Sequence, residues 1–318
     1  MAKQGILLES GTNEVEIAEF IIGTQSFGVN VAKIREFVTY DQLEVTKSLS
    51  NHPAMVGVFL LRNNIIPLID LEIHLNIESK DDVKRRVVAV TDFNNTIHGF
   101  IIDSITRIHR LSWKDIKPMT GFLENCAVSI TGIIHIEDRG VLVLDVEQIV
   151  DNIFPEYSMA STEHVDVETS LKEKREHTKL IIAEDSSTIR NLVIKILSSV
   201  GYSNVTAYEN GKDAYDAFAE LKNKAENEEK NITDLVNLAV FDIEMPQMDG
   251  LTLCKNVKTD LGMPNVPVIM FSSLINKQME IKCKKMGADA YITKPQIHDL
   301  VKLVDKFCIE STVEEESA

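Results

Sequence analysis

The stretch LIIAEDSS (180–187) decides the reading of the second half of this chain, together with three later segments in fixed order. These are AVFDIEMPQMDG (239–250), VIMFSS (268–273) and YITKP (291–295). An apolar run leads into each. Short apolar runs ending in polar residues are the pattern of buried parallel strands. Open α/β sheets gather their ligands at the carboxyl ends of such strands. One rim would then hold the carboxylates of Glu184, Asp185 and Asp242, the hydroxyl of Ser272 and the ammonium of Lys294.

These residue types suit one chemistry. Crowded carboxylates repel, which raises their proton affinity and invites a cation. Mg²⁺ takes oxygen ligands and keeps several waters, so two or three carboxylates suffice. Phosphoryl transfer asks for positioning and charge neutralisation. Asp242 would be the nucleophile that accepts the phosphoryl group. Lys294 would neutralise one phosphoryl oxygen, and Ser272 would hydrogen-bond another. Taken singly, Glu184-Asp185 reads as a loop pair before a helix N-cap, Lys294-Pro295 as a strand-to-helix turn and Asp242 as a strand-end residue. All four together, in order, point to a site.

This half resembles the CheY-like receiver domain of two-component response regulators over about residues 178–308. The resemblance implies a doubly wound, five-stranded parallel sheet and phosphorylation of Asp242 by a histidine kinase. It also implies a Mg²⁺ site: Asp185 and Asp242 directly, Glu184 through water, and Glu244 through its backbone carbonyl. Tyr291, three residues before Lys294, matches the aromatic switch position. Glu184 stands where Asp is commoner, and the acidic Glu244 is a second departure that could slow phosphorylation. The charged stretch 219–237 is longer than usual and reads as a surface extension.

Residues 14–150 read differently. Short β-rich runs alternate with turn residues, with Asn63-Asn64, Asp92–Thr96 and Asp138-Arg139-Gly140 between apolar runs. Hairpins are expected at each, and many short strands suggest closed or nearly closed antiparallel sheets. The segments SFGVNVAKIREF, HPAMVGVFLLRNNIIPLIDL, HGFIIDSI and ITGIIHIEDRGVLVLDVEQIV closely resemble the CheW domain over about residues 14–152. That resemblance implies two small β-barrels, and binding to chemoreceptor tips and to the histidine kinase CheA. Gly57, Leu61, Arg62, Pro67, Asp70 and Leu71 match one family signature; Gly99 with Asp103 and Gly132 with Asp145 match two more. Asn63 replaces the usual Gly, and Asn tolerates positive φ. Arg62, Glu36 and Val38 are the candidate partner contacts. No grouping of nucleophile, base and oxyanion donors appears here, so this half reads as a binding module.

The expected organisation is two-domain: an all-β CheW-like coupling domain (14–152), a linker (153–177), a receiver (178–309) and a disordered acidic tail (310–318). The linker is polar, is interrupted by Pro155, and has one helical piece toward residue 177. The formal charge of −16 disfavours nucleic-acid binding, which depends on Lys and Arg. No apolar run approaches the roughly 18 residues of a spanning helix, and no secretory signal is visible. The protein is therefore expected in the cytoplasm, and the CheW resemblance implies a place there at chemoreceptor arrays. Cys126, Cys254, Cys283 and Cys308 form no CxxC pair; the last three read as buried thiols.

The domain order resembles the CheV family of chemotaxis coupling proteins. It implies an adaptor, not an enzyme, that joins methyl-accepting chemoreceptors to CheA under control of Mg²⁺-dependent phosphorylation at Asp242. Two alternatives share this order: a phosphate sink draining CheA, and a structural adaptor with a non-signalling receiver.

Overall fold

A computed structural model describes residues 11–47, 50, 52–78, 86–119, 129–155, 171–274 and 277–310, with the side chains of Pro295 and His298 outside it. The chain forms two compact units. One is Val15–Ser158; the other joins Met1–Glu14 to Met159–Ala318. Cys126, most of the expected linker and nearly all of the expected tail lie outside the described residues.

The first unit contains β1 (Glu14–Ile22), β2 (Gln25–Asn30), β3 (Ile34–Thr39), β4 (Val45–Lys47), β5 (Met55–Leu61), β6 (Asn64–Asp70), α1 (Leu71–His74), β7 (Val87–Phe93), β8 (Thr96–Ile102), β9 (Ser104–Ser112), β10 (Lys117–Pro118), β11 (Ile130–Ile136), β12 (Arg139–Leu144) and α2 (Val146–Ile153). They form two sheets, β3-β7-β8-β6-β5-β4 and β9-β1-β2-β12-β11-β10. Position for position these are the same sheet built twice. Each has a parallel step, β6 to β8 and β12 to β2. Each has a bulge just before a glycine, Gly57 or Gly132.

The repetition explains the glycines and aspartates of the sequence signatures. A Cβ on Gly57 would stand 2.5 Å from the Thr46 carbonyl oxygen, and one on Gly132 would stand 2.6 Å from that of Lys117. Both strands therefore need glycine where the short outer strand crosses. Asp70 caps α1, its Oδ1 accepting from the Glu72 and Ile73 amides. Asp145 caps α2 in the same way through Glu147 and Gln148. The glutamate after each cap is buried and ion-paired, Glu72 to Arg86 and Glu147 to Lys33. Each sheet has its own apolar cluster, and a third, shared cluster takes in α1 and α2.

Hairpin positions differ slightly from expectation. The turns are Arg62-Asn63, Asn94-Asn95 and Glu137-Asp138, and φ is positive at Arg62, Asn63, Asn94, Asn95 and Glu137. The first and third lie one residue earlier than the polar residues suggested, because two-residue turns of this hand fix the register from both strands.

The second unit contains α3 (Lys172–His177), β13 (Lys179–Ala183), α4 (Ser187–Val200), β14 (Asn204–Tyr208), α5 (Gly211–Asn227), β15 (Leu238–Phe241), α6 (Gly250–Lys255), β16 (Val268–Ser272), α7 (Lys277–Lys285), β17 (Ala290–Thr293) and α8 (Ile297–Asp305). The strand order is β14-β13-β15-β16-β17, with every pairing parallel. One face of the sheet packs on α5, α6 and α7 and the other on α4 and α8. The stretch 219–237 is only partly a surface extension: α5 runs on to Asn227, and Ala225 and Val236 are buried. Cys254 and Cys283 are buried, whereas Cys308 is half-buried; burial pushes all three thiols up to about 12.

Before β13, α3 is sewn into this unit. Arg175 is buried; its guanidinium donates to Asp305 Oδ1 and Oδ2 at 2.9 and 2.7 Å and to the Val200 carbonyl at 2.9 Å. Tyr202 Oη donates to the same Asp305 at 2.7 Å.

Candidate functional site

The four sequence segments end four adjacent strands, as a doubly wound sheet requires. Ala183 closes β13, Phe241 closes β15, Ser272 closes β16 and Thr293 closes β17. Their polar residues therefore meet at one rim. Ser186 caps α4, its Oγ accepting from the Ile189 amide, so the chain turns sharply after Glu184-Asp185. Arg190 donates to the Glu184 and Asp185 carbonyls at 2.8 and 3.1 Å and pins that turn from outside.

Lys294 Nζ donates to Glu184 Oε1 at 3.0 Å and to Asp242 Oδ2 at 3.1 Å. Asp242 Oδ1 accepts from the Ile243 amide at 2.7 Å. Glu184, Asp242, Ser272 and Lys294 are all buried, while Asp185 is half-exposed and marks the open side. Oxygen atoms of Glu184, Asp185 and Asp242 lie within 4.8 Å of one another. Burial raises the Glu184 carboxyl well above its usual range; Lys294 pulls it down, and Asp242 and Asp185 push it further up. Glu184 Oε2 is buried without a hydrogen-bond partner. A buried carboxylate oxygen left bare costs free energy, and a hard divalent cation would satisfy it. The donor set is all oxygen, so these residues fit Mg²⁺.

Ser272 lies on the next strand, its Oγ accepting from the Leu274 amide at 3.4 Å. Tyr291 is half-buried; its hydroxyl donates to Glu280 Oε2 at 3.1 Å, and Lys284 Nζ stands 5.6 Å from its ring centroid. Neither α7 residue stood out in the sequence, because lysine and glutamate on a surface helix carry no signal of their own. Glu244 is half-buried and is not one of the three clustered carboxylates among the described residues.

In the first unit, Arg62 at the β5–β6 turn donates to Glu36 Oε2 on β3 at 2.9 Å. Two of the three sequence candidates thus meet. Val38, the third candidate, is half-buried and packs on the apolar cluster of that sheet. Leu60 and Ile65, facing each other across the hairpin, are 65% and 74% exposed. The outward apolar pair was visible in LLRNNII as a break in inside–outside alternation. The matching turn of the other sheet carries the opposite charge: Glu137, paired with Arg107 on β9 at 3.4 Å. A buried network lies behind it. Glu19 accepts from Arg139 and lies 2.7 Å from His109 Nε2. Burial pushes the Glu19 carboxyl up, but hydrogen bonds from Arg139, His109 and Ser26 outweigh it and hold the carboxyl at about 2.

Comparisons with known proteins match this division. Residues 16–154 match the CheW-like domain and residues 180–305 the response regulator receiver domain. The chemotaxis protein CheV3 of Helicobacter pylori is 32% identical over 310 residues, covering 92% of this chain and 96% of the relative. The chain belongs to the CheV family. CheV2 of the same organism is 28% identical over 294 residues, covering 87% of this chain and 89% of its own. The chemotaxis protein CheW of Klebsiella aerogenes is 26% identical over 138 residues, 43% of this chain and 82% of its own. A CheV protein is a chemotaxis adaptor that carries a receiver; neither matched domain is a known catalytic family. No helix among the described residues is long and apolar enough to cross a membrane.

Proposed function

We propose that this protein couples methyl-accepting chemoreceptors to CheA in the cytoplasm, at receptor arrays, and that phosphorylation of Asp242 tunes the coupling. The carrying observation is the buried cluster in which Lys294 bridges Glu184 and Asp242 beside an unpartnered Glu184 oxygen. In this reading an Asp242 carboxylate oxygen attacks the phosphorus of a phosphohistidine. The P–N bond breaks, a P–O bond forms, and the freed imidazole nitrogen takes a proton. Lys294 turns from Glu184 toward the incoming phosphoryl oxygens, and Ser272 donates its hydroxyl to another. Tyr291 then exchanges its hydrogen bond to Glu280 for a more buried position. Mg²⁺, held by Asp185 and Asp242 with Glu184 and the Glu244 carbonyl in support, would supply charge neutralisation. Arg62, with Glu36 and the outward Leu60-Ile65 pair, forms the partner surface.

The test is phosphoryl transfer from radiolabelled CheA to wild type and Asp242→Asn, with Mg²⁺ or EDTA. Label on wild type alone, and only with Mg²⁺, is expected. Label on Asp242→Asn would move the acceptor elsewhere. Loss of receptor–CheA association in Arg62→Glu, with transfer intact, would tie coupling to the first unit.

A further inference from the structure

Residues 11–13 precede β1 of the coupling fold yet group with the receiver unit. Asn13 is buried with φ of 59°. Its Nδ2 donates to the Gln247 carbonyl at 2.9 Å, and its Oδ1 accepts from the Asp249 amide at 2.9 Å. One side-chain amide therefore brackets a backbone acceptor and a backbone donor two residues apart. Asparagine suits this: it tolerates left-handed backbone and offers both halves of the pair. A second contact lies just upstream. Gly11, with φ of 75°, is so close to the receiver that an added Cβ would stand 2.9 Å from Met286 Sδ and 3.2 Å from Lys255 Cδ.

The bracketed loop is the one that leaves Asp242. The Gly250 amide donates to the Ile243 carbonyl at 3.0 Å. A Cβ on Gly250 would fall 1.9 Å from the Asp242 carbonyl oxygen. Asp249, whose amide Asn13 holds, caps α6 through the Thr252 amide at 2.9 Å and hydroxyl at 2.6 Å. Gln247 takes φ of 66° between them. The loop is thus tied at Gly250 to the backbone beside the acceptor, and at Gln247 and Asp249 to a residue far outside the receiver match.

We infer that residues 11–13 are a strap that clamps the phosphoacceptor loop, and that Asn13 is a positioning residue for phosphorylation of Asp242. The inference rests on the reading of Asp242 as acceptor. Coupling between equilibrium states is reciprocal: if the strap holds the free loop and the phosphorylated loop unequally, then a phosphoryl group on Asp242 changes the hold on the strap by the same amount. Asn13 is followed directly by Glu14, the first residue of β1, so a released strap is a change handed straight to the coupling fold's own chain.

The test uses the full chain as wild type, Asn13→Asp and Asn13→Ala, with acetyl phosphate and Mg²⁺ as the probe. Two readouts are taken: amide hydrogen exchange, and the rate of Asp242 labelling. In wild type the Asp249 amide is expected to be protected. It should exchange about tenfold faster in Asn13→Ala, while the β15 amides stay unchanged. Asn13→Asp keeps the acceptor but loses the donor, so it should fall between the two. Labelling rates should shift severalfold in the same rank order, and labelling of wild type should itself alter exchange at Asp249. Unchanged Asp249 protection in Asn13→Ala overturns the strap. Altered protection with identical labelling rates in all three overturns the positioning role. Failure of wild type to label at all overturns the acceptor reading and the positioning role with it, while the exchange arm still decides whether the strap exists.

Discussion

Arg175→Ala should destabilise the receiver unit and leave the coupling unit alone. The guanidinium is 3% exposed and makes three hydrogen bonds, two of them a fork onto Asp305. Removing one partner of a buried ion pair costs about 3–5 kcal/mol, because the other charge is left uncompensated. Asp305 retains Tyr202 Oη and has a side chain 15% exposed, so the lower end, about 3 kcal/mol, applies. With a urea slope of about 2 kcal/mol/M, the midpoint should fall by roughly 1.5 M. The melting temperature should fall by about 10 °C. Arg175→Lys keeps the charge but loses the fork, and should cost about half as much. The sequence holds one tryptophan, Trp113, buried in a cluster of the coupling unit. Its fluorescence therefore follows that unit, while far-UV circular dichroism is dominated by the helices of the receiver. The expected result is a shifted dichroism transition with an unmoved Trp113 transition. An unmoved dichroism transition, or equal shifts in both, would refute the assignment of α3 to the receiver's fold.

Three further outcomes are expected. Glu19, held at about 2 against an unfolded value near 4.5, binds fewer protons folded than unfolded between those values. It thus contributes up to about 3 kcal/mol above pH ~4.5, lost as the pH falls toward 2; Trp113-monitored urea midpoints at pH 7 and pH 3 should differ much less in Glu19→Gln, and equal differences would reject the network. Gly250→Ala drives a methyl into the Asp242 carbonyl oxygen and should cost about 3 kcal/mol or more, with phosphoryl transfer slowed; wild-type stability in that variant would mean the close approach is not real. Lys294→Ala removes a positive charge about 3 Å from two of the three carboxylates and should tighten Mg²⁺ binding about tenfold in calorimetric titration while slowing phosphoryl transfer; weaker Mg²⁺ binding would show that the lysine organises the site.

The receiver site was legible because each of its residues ends a strand, and a strand-end residue announces itself through the apolar run before it. Ala183, Phe241, Ser272 and Thr293 fall where the runs stop. The turns were legible to within a residue, since Asn and Asp mark positive φ but the pairing of both strands sets the register. What stayed hidden joins distant segments. Arg175 reads as one more charge in a polar helix until Asp305, 130 residues later, is placed against it. Glu19 shares its strand with Glu14 and Glu16, so nothing in the run singles it out as the buried one, and its partner Arg139 lies 120 residues on. The doubled sheet also went unseen, because few residues repeat besides Gly57 with Gly132, Asp70 with Asp145 and the buried Glu72 with Glu147. Those are the positions where backbone crowding or a helix cap leaves little choice.

The distance along the chain between Asn13 and Asp249, 236 residues, is also a delay. At roughly 5–20 residues per second of synthesis, Asn13 emerges from the ribosome about 10–50 s before the loop it will hold. The whole coupling fold is made in that interval. The strap is therefore among the last parts of the receiver to close, although it is the first part made. A receiver fragment produced from its own start would never acquire it, and kinetics measured on such a fragment would describe a looser domain than the one the full chain carries.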